Sequence, residues 1–373
     1  MNNYNILVSS ASGVEGVTKK ELYALGFYDP KAIYGNFHLC GTSLDVARLN
    51  MFLRTAERVY IEIGNFDCYT FDDLFDGVKA LNWEDFLDLD GAFVVNGKTV
   101  KSDLFALSAI QSVVKKAILE RLSQTKRVNV FEETGARFYI DFYIRDNICT
   151  MSLNTSGNGL HKRGYRDFVG EAPIRETLAS ALLMLSSFDA DKPFIDPFCG
   201  SGTIPIEAAR MALNIASGRD RDFDYANWKC FDNEVYNQVL EEAKDKETLD
   251  KKLRFSGFDI DSGAIKLCMH HAQRAGLEGK VHFQVQDVAN LSSKYAQGTI
   301  VTNPPYGERL LDVKNVNILN KTLGDVYKNL DNWSIFVITS ALQFEKYFGQ
   351  KSDKNRKFFS ANKERHFYSY FQK

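Results

Sequence analysis

From Ile174 onward the chain alternates strand-sized apolar runs with helix-sized amphipathic ones, and this alternation constrains the fold more than any other feature. The spacing predicts helix 174–187, strand 193–196, helix 203–213, strand 254–260, helix 262–274, strand 281–285, strand 299–302, helix 318–330 and strand 334–339. Parallel strands need long crossovers, usually helical, so the pattern predicts an α/β, doubly wound parallel sheet. A polar insertion between residues 213 and 252, with Trp228 and a charged helix over Val235–Lys252, interrupts it.

The first 150 residues read differently, as α+β. Ile6–Val8 predicts a strand, Gly16–Leu25 a helix closed by Gly26, and Ser43 caps a helix carrying Val46, Leu49 and Met51. Val59–Ile63 predicts a strand, Phe71–Trp83 helical turns and Phe93–Val95 a strand. Leu107–Leu122 is an amphipathic helix with Lys115 and Lys116 toward its polar side. Phe138–Ile144 and Ile148–Leu153 form a hairpin around Arg145-Asp146-Asn147. A glycine-, asparagine- and charge-rich passage, Asn154–Pro173, has linker composition. With 373 residues, more than one domain is expected.

The strongest local signal is Asp196-Pro-Phe-Cys199-Gly200-Ser201-Gly202-Thr203. A short apolar strand ends in an acid, and a glycine turn then opens a helix whose N–H groups can face a ligand. Alone, the glycines could mark only a strand-to-helix turn. However, Pro205 stands where a dinucleotide fingerprint has its third glycine, and Asp196 would repel a pyrophosphate. An acid there suits a cationic ligand such as the amino group of S-adenosylmethionine. Two further acids close strands: Asp259, followed by Ile260, can accept ribose hydroxyls, and Asp287, followed by Val288, can meet an adenine amine. Asp261 is expected to cap the next helix. Any one aspartate could be only a cap; three at successive strand ends line one crevice.

After strand 299–302 comes Asn303-Pro304-Pro305-Tyr306-Gly307-Glu308-Arg309. Two prolines remove two donors and fix an extended turn. Asn303 Oδ1 and the Pro304 carbonyl can accept both hydrogens of a planar exocyclic amine and aim its lone pair at a sulfonium methyl. Tyr306 offers a face for an unstacked base. Glu308 and Arg309 could satisfy guanine N1 and O6, or could simply form a surface ion pair.

Net charge, −2, argues against a polyanion partner until its distribution is read. Residues 98–127 hold seven bases against two acids, residues 346–373 hold eight against two, and His161-Lys162-Arg163-Gly164-Tyr165-Arg166 adds a third cluster. Three patches point toward RNA or DNA. No apolar run approaches bilayer length and no signal-peptide pattern opens the chain, so a cytoplasmic, membrane-free protein is expected. Cys40, Cys68, Cys149, Cys199, Cys230 and Cys268 form no CxxC pair, and the histidines lack ligand spacing; no metal site is expected.

The glycine turn together with Asn303-Pro-Pro-Tyr306 resembles class I S-adenosylmethionine-dependent amino-methyltransferases. The strings Leu160-His-Lys-Arg-Gly-Tyr-Arg166, Ala172-Pro-Ile-Arg-Glu-Thr-Leu-Ala179 and Asn303–Leu310 are narrower. They resemble the THUMP-containing RNA guanine-N2 methyltransferases, and in particular the N-terminal half of the bacterial large-subunit rRNA methyltransferase L. The resemblance implies a ferredoxin-like piece (1–43), a THUMP RNA-binding domain (44–154), a linker (155–173) and a Rossmann-like catalytic domain (174–373). It implies Asn303, Pro304, Pro305 and Tyr306 as catalytic. Asp196, Cys199, Gly200, Ser201, Gly202, Asp259, Ile260, Asp287 and Val288 would bind S-adenosylmethionine. Lys115, Lys116, Lys126, Arg127, His161, Lys162, Arg163 and Arg166 would bind RNA, with 23S rRNA expected ahead of tRNA. The same loop also serves adenine-N6 and protein glutamine methylation, and an RNA-binding assembly factor with a vestigial site is a third reading.

Overall fold

The computed structural model describes residues 3–128, 130–167, 173–305, 313–341, 343–360 and 363–372. Within them the chain builds two seven-stranded sheets.

The first sheet runs through β1 (Tyr4–Ser10), α1 (Glu15–Ala24), β2 (Lys31–Ile33), β3 (Asn36–Gly41), α2 (Ser43–Phe52), β4 (Ala56–Asp67), α3 (Phe71–Ala80), β5 (Ala92–Val100), α4 (Leu107–Lys126), β6 (Arg137–Arg145) and β7 (Ile148–Asn154). Its order is β2-β3-β1-β4-β7-β6-β5. Strand β4 is twelve residues long and pairs with β1 along one edge and β7 along the other. One hydrogen-bonded sheet therefore crosses the expected division at 43/44. The helix after that point is capped by Thr42, not Ser43, in a capping box with Asp45. β2 and β3 carry no sequence signal: β2 is three exposed residues, and its turn places Tyr34 at φ +50° and Gly35 at +81°. Two positive φ values make the tight hairpin turn that Asn-Gly usually announces.

The second sheet runs through α5 (Glu176–Leu185), β8 (Phe194–Asp196), α6 (Thr203–Ala212), α7 (Asn233–Asp245), β9 (Phe255–Asp259), α8 (Ser262–Arg274), β10 (Val281–Val285), β11 (Gly298–Thr302), α9 (Val313–Tyr327), β12 (Trp333–Thr339), α10 (Phe344–Phe348), β13 (Lys354–Ser360) and β14 (Lys363–Tyr370). The order is β10-β9-β8-β11-β12-β14-β13, with β10, β9, β8, β11 and β12 mutually parallel and β14 antiparallel to both β12 and β13. Strand order reverses between β8 and β11, which opens a crevice at their carboxyl ends. The C-terminal basic cluster becomes a hairpin: Phe367, Tyr368 and Tyr370 of β14 are buried, while Lys354, Arg356 and Lys357 lie on the edge strand β13. Charges on an edge strand discourage strand addition.

Two segments differ from their composition. Residues 155–167 are not a solvated linker: Thr155, Ser156, Arg163 and Tyr165 are buried. Ser156 donates to Asn50 Oδ1 at 2.6 Å and Thr155 to the Val59 carbonyl at 2.8 Å. Polar side chains satisfied by buried backbone read as loop composition although they are core. The 213–252 insertion packs into the first module. Trp228 stacks on Phe138 with centroids 4.9 Å apart, and Ser217 donates to the Met51 and Leu53 carbonyls. Arg48 and Glu242 join α2 to α7 at 3.0 Å. Among the described residues no helix is long and apolar enough to cross a membrane.

Candidate functional site

At the switch point Asp196 ends β8 beneath the glycine turn. Thr302 of β11 donates to its Oδ1 at 2.6 Å and the Phe198 N–H at 3.1 Å. Burial raises this carboxyl to about 7, against those hydrogen bonds and aided by the neighbouring Asp259 charge. Gly200 and Gly202 lie at φ +52° and +83°. A Cβ on Gly200 would meet nothing within 4 Å, so that glycine faces open space. One on Gly202 would stand 3.1 Å from Cys268 Sγ, so that glycine serves packing. Asp259, ending β9, accepts the Gly200 N–H at 2.9 Å and the Asp261 N–H at 3.0 Å. Asp261 caps α8, accepting from Gly263. Ile260 is 71% exposed, an apolar side chain at the mouth of a polar crevice. Asp287 follows β10 and caps the turn 288–290 with one oxygen.

Asn303 follows β11, and its Oδ1 is buried with no hydrogen-bond partner among the described residues. A buried amide oxygen left unpaired costs about 1–3 kcal/mol, unless a ligand supplies the donor. Pro304 is buried beside it. Tyr306, Glu308 and Arg309 lie outside the described residues.

Several expected residues are placed elsewhere. Cys199 turns away from the crevice, its sulfur 3.7 Å from Cys268, and Val288 is buried in the core. Arg163 is 1% exposed; it donates to the Leu160 and Arg54 carbonyls and pairs with buried Glu207 at 3.7 Å. It cannot reach a phosphate, so its assignment to RNA is corrected. Arg166 is corrected too: it pairs with Glu176 at 2.7 Å and donates to Ser201 Oγ at 3.1 Å, bracing the glycine turn from within. His161 is half-buried, and burial with nearby arginines lowers it to about 4, so it is uncharged at neutral pH. Lys162 is exposed. On α4, Lys115 pairs with Glu133 at 2.7 Å and Lys116 lies over the Phe75 ring. Lys126 and Arg127 are exposed at the helix end.

His271 carries no sequence signal for this site. It is fully buried on α8 with Nδ1 3.0 Å from the Ser201 carbonyl, and burial lowers its pKa. No motif marks it, because its role depends on α8 packing against the turn.

The carboxyl ends of β8, β9 and β11 thus bring together a buried acid, a glycine facing open space, an exposed apolar side chain and an amide oxygen without a partner among the described residues. The model of the RMKL-like methyltransferase domain matches residues 163–368. The chain belongs to the RMKL-like methyltransferase family. A THUMP domain model matches residues 68–154, and an RlmL ferredoxin-like domain model residues 5–60.

Like other members of this family, the chain is a methyltransferase that uses S-adenosylmethionine. It is 40% identical over its whole length to a putative RNA methyltransferase, YpsC, of Bacillus subtilis, covering 97% of that protein. It is 31% identical to the ribosomal RNA large subunit methyltransferase K/L of Shewanella baltica over 96% of its own length but 51% of the relative's. The chain therefore spans about half of that relative. Two solved structures each superpose with a TM-score of 0.95 over 100% of the chain. One, 42% identical and 97% covered, is a Listeria monocytogenes protein described as a predicted N6-adenine-specific DNA methylase. The other, 37% identical and 99% covered, is SMU.472, a putative methyltransferase complexed with SAH.

Proposed function

We propose that the chain transfers a methyl group from S-adenosylmethionine to the exocyclic N2 amine of a guanine in RNA, with 23S rRNA the first candidate and tRNA the second. The observation that carries this reading is the buried Asn303 Oδ1, without a partner among the described residues, which lies at the strand end next to the Asp196–Thr302 bond.

In this reading Asp196, Gly200, Ser201, Gly202, Asp259, Ile260 and Asp287 hold the methyl donor, which supplies an electrophilic sulfonium methyl when bound. Asp196 takes the ammonium group, Asp259 the ribose hydroxyls, and Ile260 covers a base face that would otherwise meet water. Asn303 Oδ1 and the Pro304 carbonyl accept the two amine hydrogens of the target. That pairing pulls the nitrogen lone pair out of conjugation, and the contacts strengthen as the nitrogen becomes cationic, so they favour the transition state over the ground state. No strong base is needed, because the amine becomes acidic only as the methyl arrives.

RNA is favoured by the THUMP match at 68–154 and by relatives described as RNA and ribosomal RNA methyltransferases. An RNA substrate and six free thiols suit a reducing cytoplasm. The Listeria relative's description favours adenine N6 as the second reading. Nucleoside mass spectrometry on rRNA and tRNA from cells with and without the gene separates them. Loss of N2-methylguanosine is expected; loss of N6-methyladenosine alone overturns the assignment.

A further inference from the structure

Helices α2, α3 and α4 pack against the sheet of the first module, and Arg58, Tyr60, Lys98, Asp141 and Tyr143, none of them buried, line a cavity over its strands. The register aligns Arg58 and Tyr60 of β4 with residues of β1 and β7, and Lys98 of β5 with Tyr143 of β6. The cavity has a volume of about 640 Å³, within the range of natural ligand sites.

Four side chains form a continuous strip across it. Lys98 Nζ stands 4.7 Å from the centre of the Tyr143 ring. Arg145 donates to the Tyr143 hydroxyl at 3.0 Å, and its guanidinium lies 3.6 Å from the centre of the Tyr34 ring. Tyr34 is 64% exposed. Lys98 is exposed, while Arg58 faces Tyr60 and Asp141 on the same side of the sheet. Two acids share the face: Asp141, raised by burial to about 6 and facing Arg58, and Asp146, 3.4 Å from Arg145. Rings stacked with cations on an open sheet are the arrangement that binds unpaired bases while the cations meet phosphates.

Strand β4, which carries Arg58, also touches the catalytic half. Beside Arg58, Glu57 accepts from Arg175 at 3.2 Å and from Thr177 at 3.0 Å at the start of α5. The next residue there, Glu176, holds Arg166 against the glycine turn.

We infer that this face, with Tyr34, Tyr143, Lys98, Arg145 and Arg58, binds a single-stranded stretch of the substrate RNA by base stacking. The inference rests on the RNA reading above and adds a site to it besides the basic helix α4.

The test uses the full chain and a mixed-sequence 12-nucleotide RNA, single-stranded or annealed to its complement, followed by fluorescence anisotropy. Tyr34→Asn removes the ring at a positive φ that asparagine tolerates, and Lys98→Ala removes an exposed charge. Tyr34→Trp restores a ring. Calorimetry with S-adenosylhomocysteine reports the catalytic domain in every variant. The expected result is single-strand binding weakened about tenfold by Tyr34→Asn, weakened further by Lys98→Ala, and restored by Tyr34→Trp, with cofactor affinity unchanged. If the unsubstituted chain binds the single strand and these variants bind it equally well, the face is rejected while the RNA reading stands. Equal weakening for single strand and duplex rejects stacking. If the unsubstituted chain binds neither RNA, both readings fail.

Discussion

Methyl-donor binding should depend on pH through Asp196. The carboxyl is buried and stands at about 7 without ligand, because desolvation outweighs the donated bonds from Thr302 and Phe198. An ammonium group binds the ionised form, so below pH 7 binding must first expel a proton. Affinity should fall about tenfold for each pH unit below 7, roughly 1.4 kcal/mol per unit. The sign for stability runs opposite. The folded value lies above the ordinary 3.8, so the unliganded fold binds the proton more tightly than the unfolded chain. Its contribution is fully present at low pH and is lost as pH rises through about 7. Between pH 5.5 and 7.5 the unliganded protein should lose about 2 kcal/mol from this carboxyl. Calorimetry with S-adenosylhomocysteine from pH 5.5 to 7.5, in two buffers of different ionisation enthalpy, measures both affinity and protons released. Asp196→Asn should bind more weakly and without pH dependence. A flat wild-type affinity with no proton released would refute the reasoning.

Gly200→Val should lose most cofactor affinity at a cost of about 1–2 kcal/mol in stability, since its side chain would enter open space at a strained φ; unchanged affinity by calorimetry would displace the crevice. Asn303→Ala should leave cofactor affinity nearly intact and cut the single-turnover rate on RNA by a large factor, and a retained rate would remove Asn303 from amine activation. Neutralising Lys115, Lys116, Lys126 and Arg127 should weaken RNA binding and reduce its log–log salt slope by ~0.7–0.9 per lost phosphate contact. Arg163→Met should instead lower Tm and leave that slope unchanged, since it strips a buried partner from Glu207. Trp228→Ala should cost about 3–5 kcal/mol, because the ring joins the 213–252 insertion to the core of the first module; a shift in Tm under 2 °C would show that junction to be inessential.

The strands and helices of the catalytic half were legible because their apolar periods were long and their caps local: α8 spans the predicted 262–274 with Asp261 as cap. The glycine turn was legible for the same reason, since a positive φ beside a strand end is a demand on residue type that sequence displays directly. Helix α9 is observed at 313–327 rather than 318–330. What sequence could not display was direction. Arg163 and Lys162 are adjacent and both basic, yet one is sealed against Glu207 and the other faces solvent. Which of them meets an RNA depends on Glu207, 44 positions away in the chain but brought beside Arg163 by the packing of α6. The 213–252 insertion is polar in composition, yet its few aromatic side chains enter the core of the first module. Tyr34, Lys98, Tyr143 and Arg145 come from a turn and two strands far apart in sequence, and only the β5–β6 register and the contact of the β2–β3 turn with Arg145 lay them in one row. Short-range chemistry sets the elements and the turn; the surfaces those elements share are set by side chains that meet only after folding.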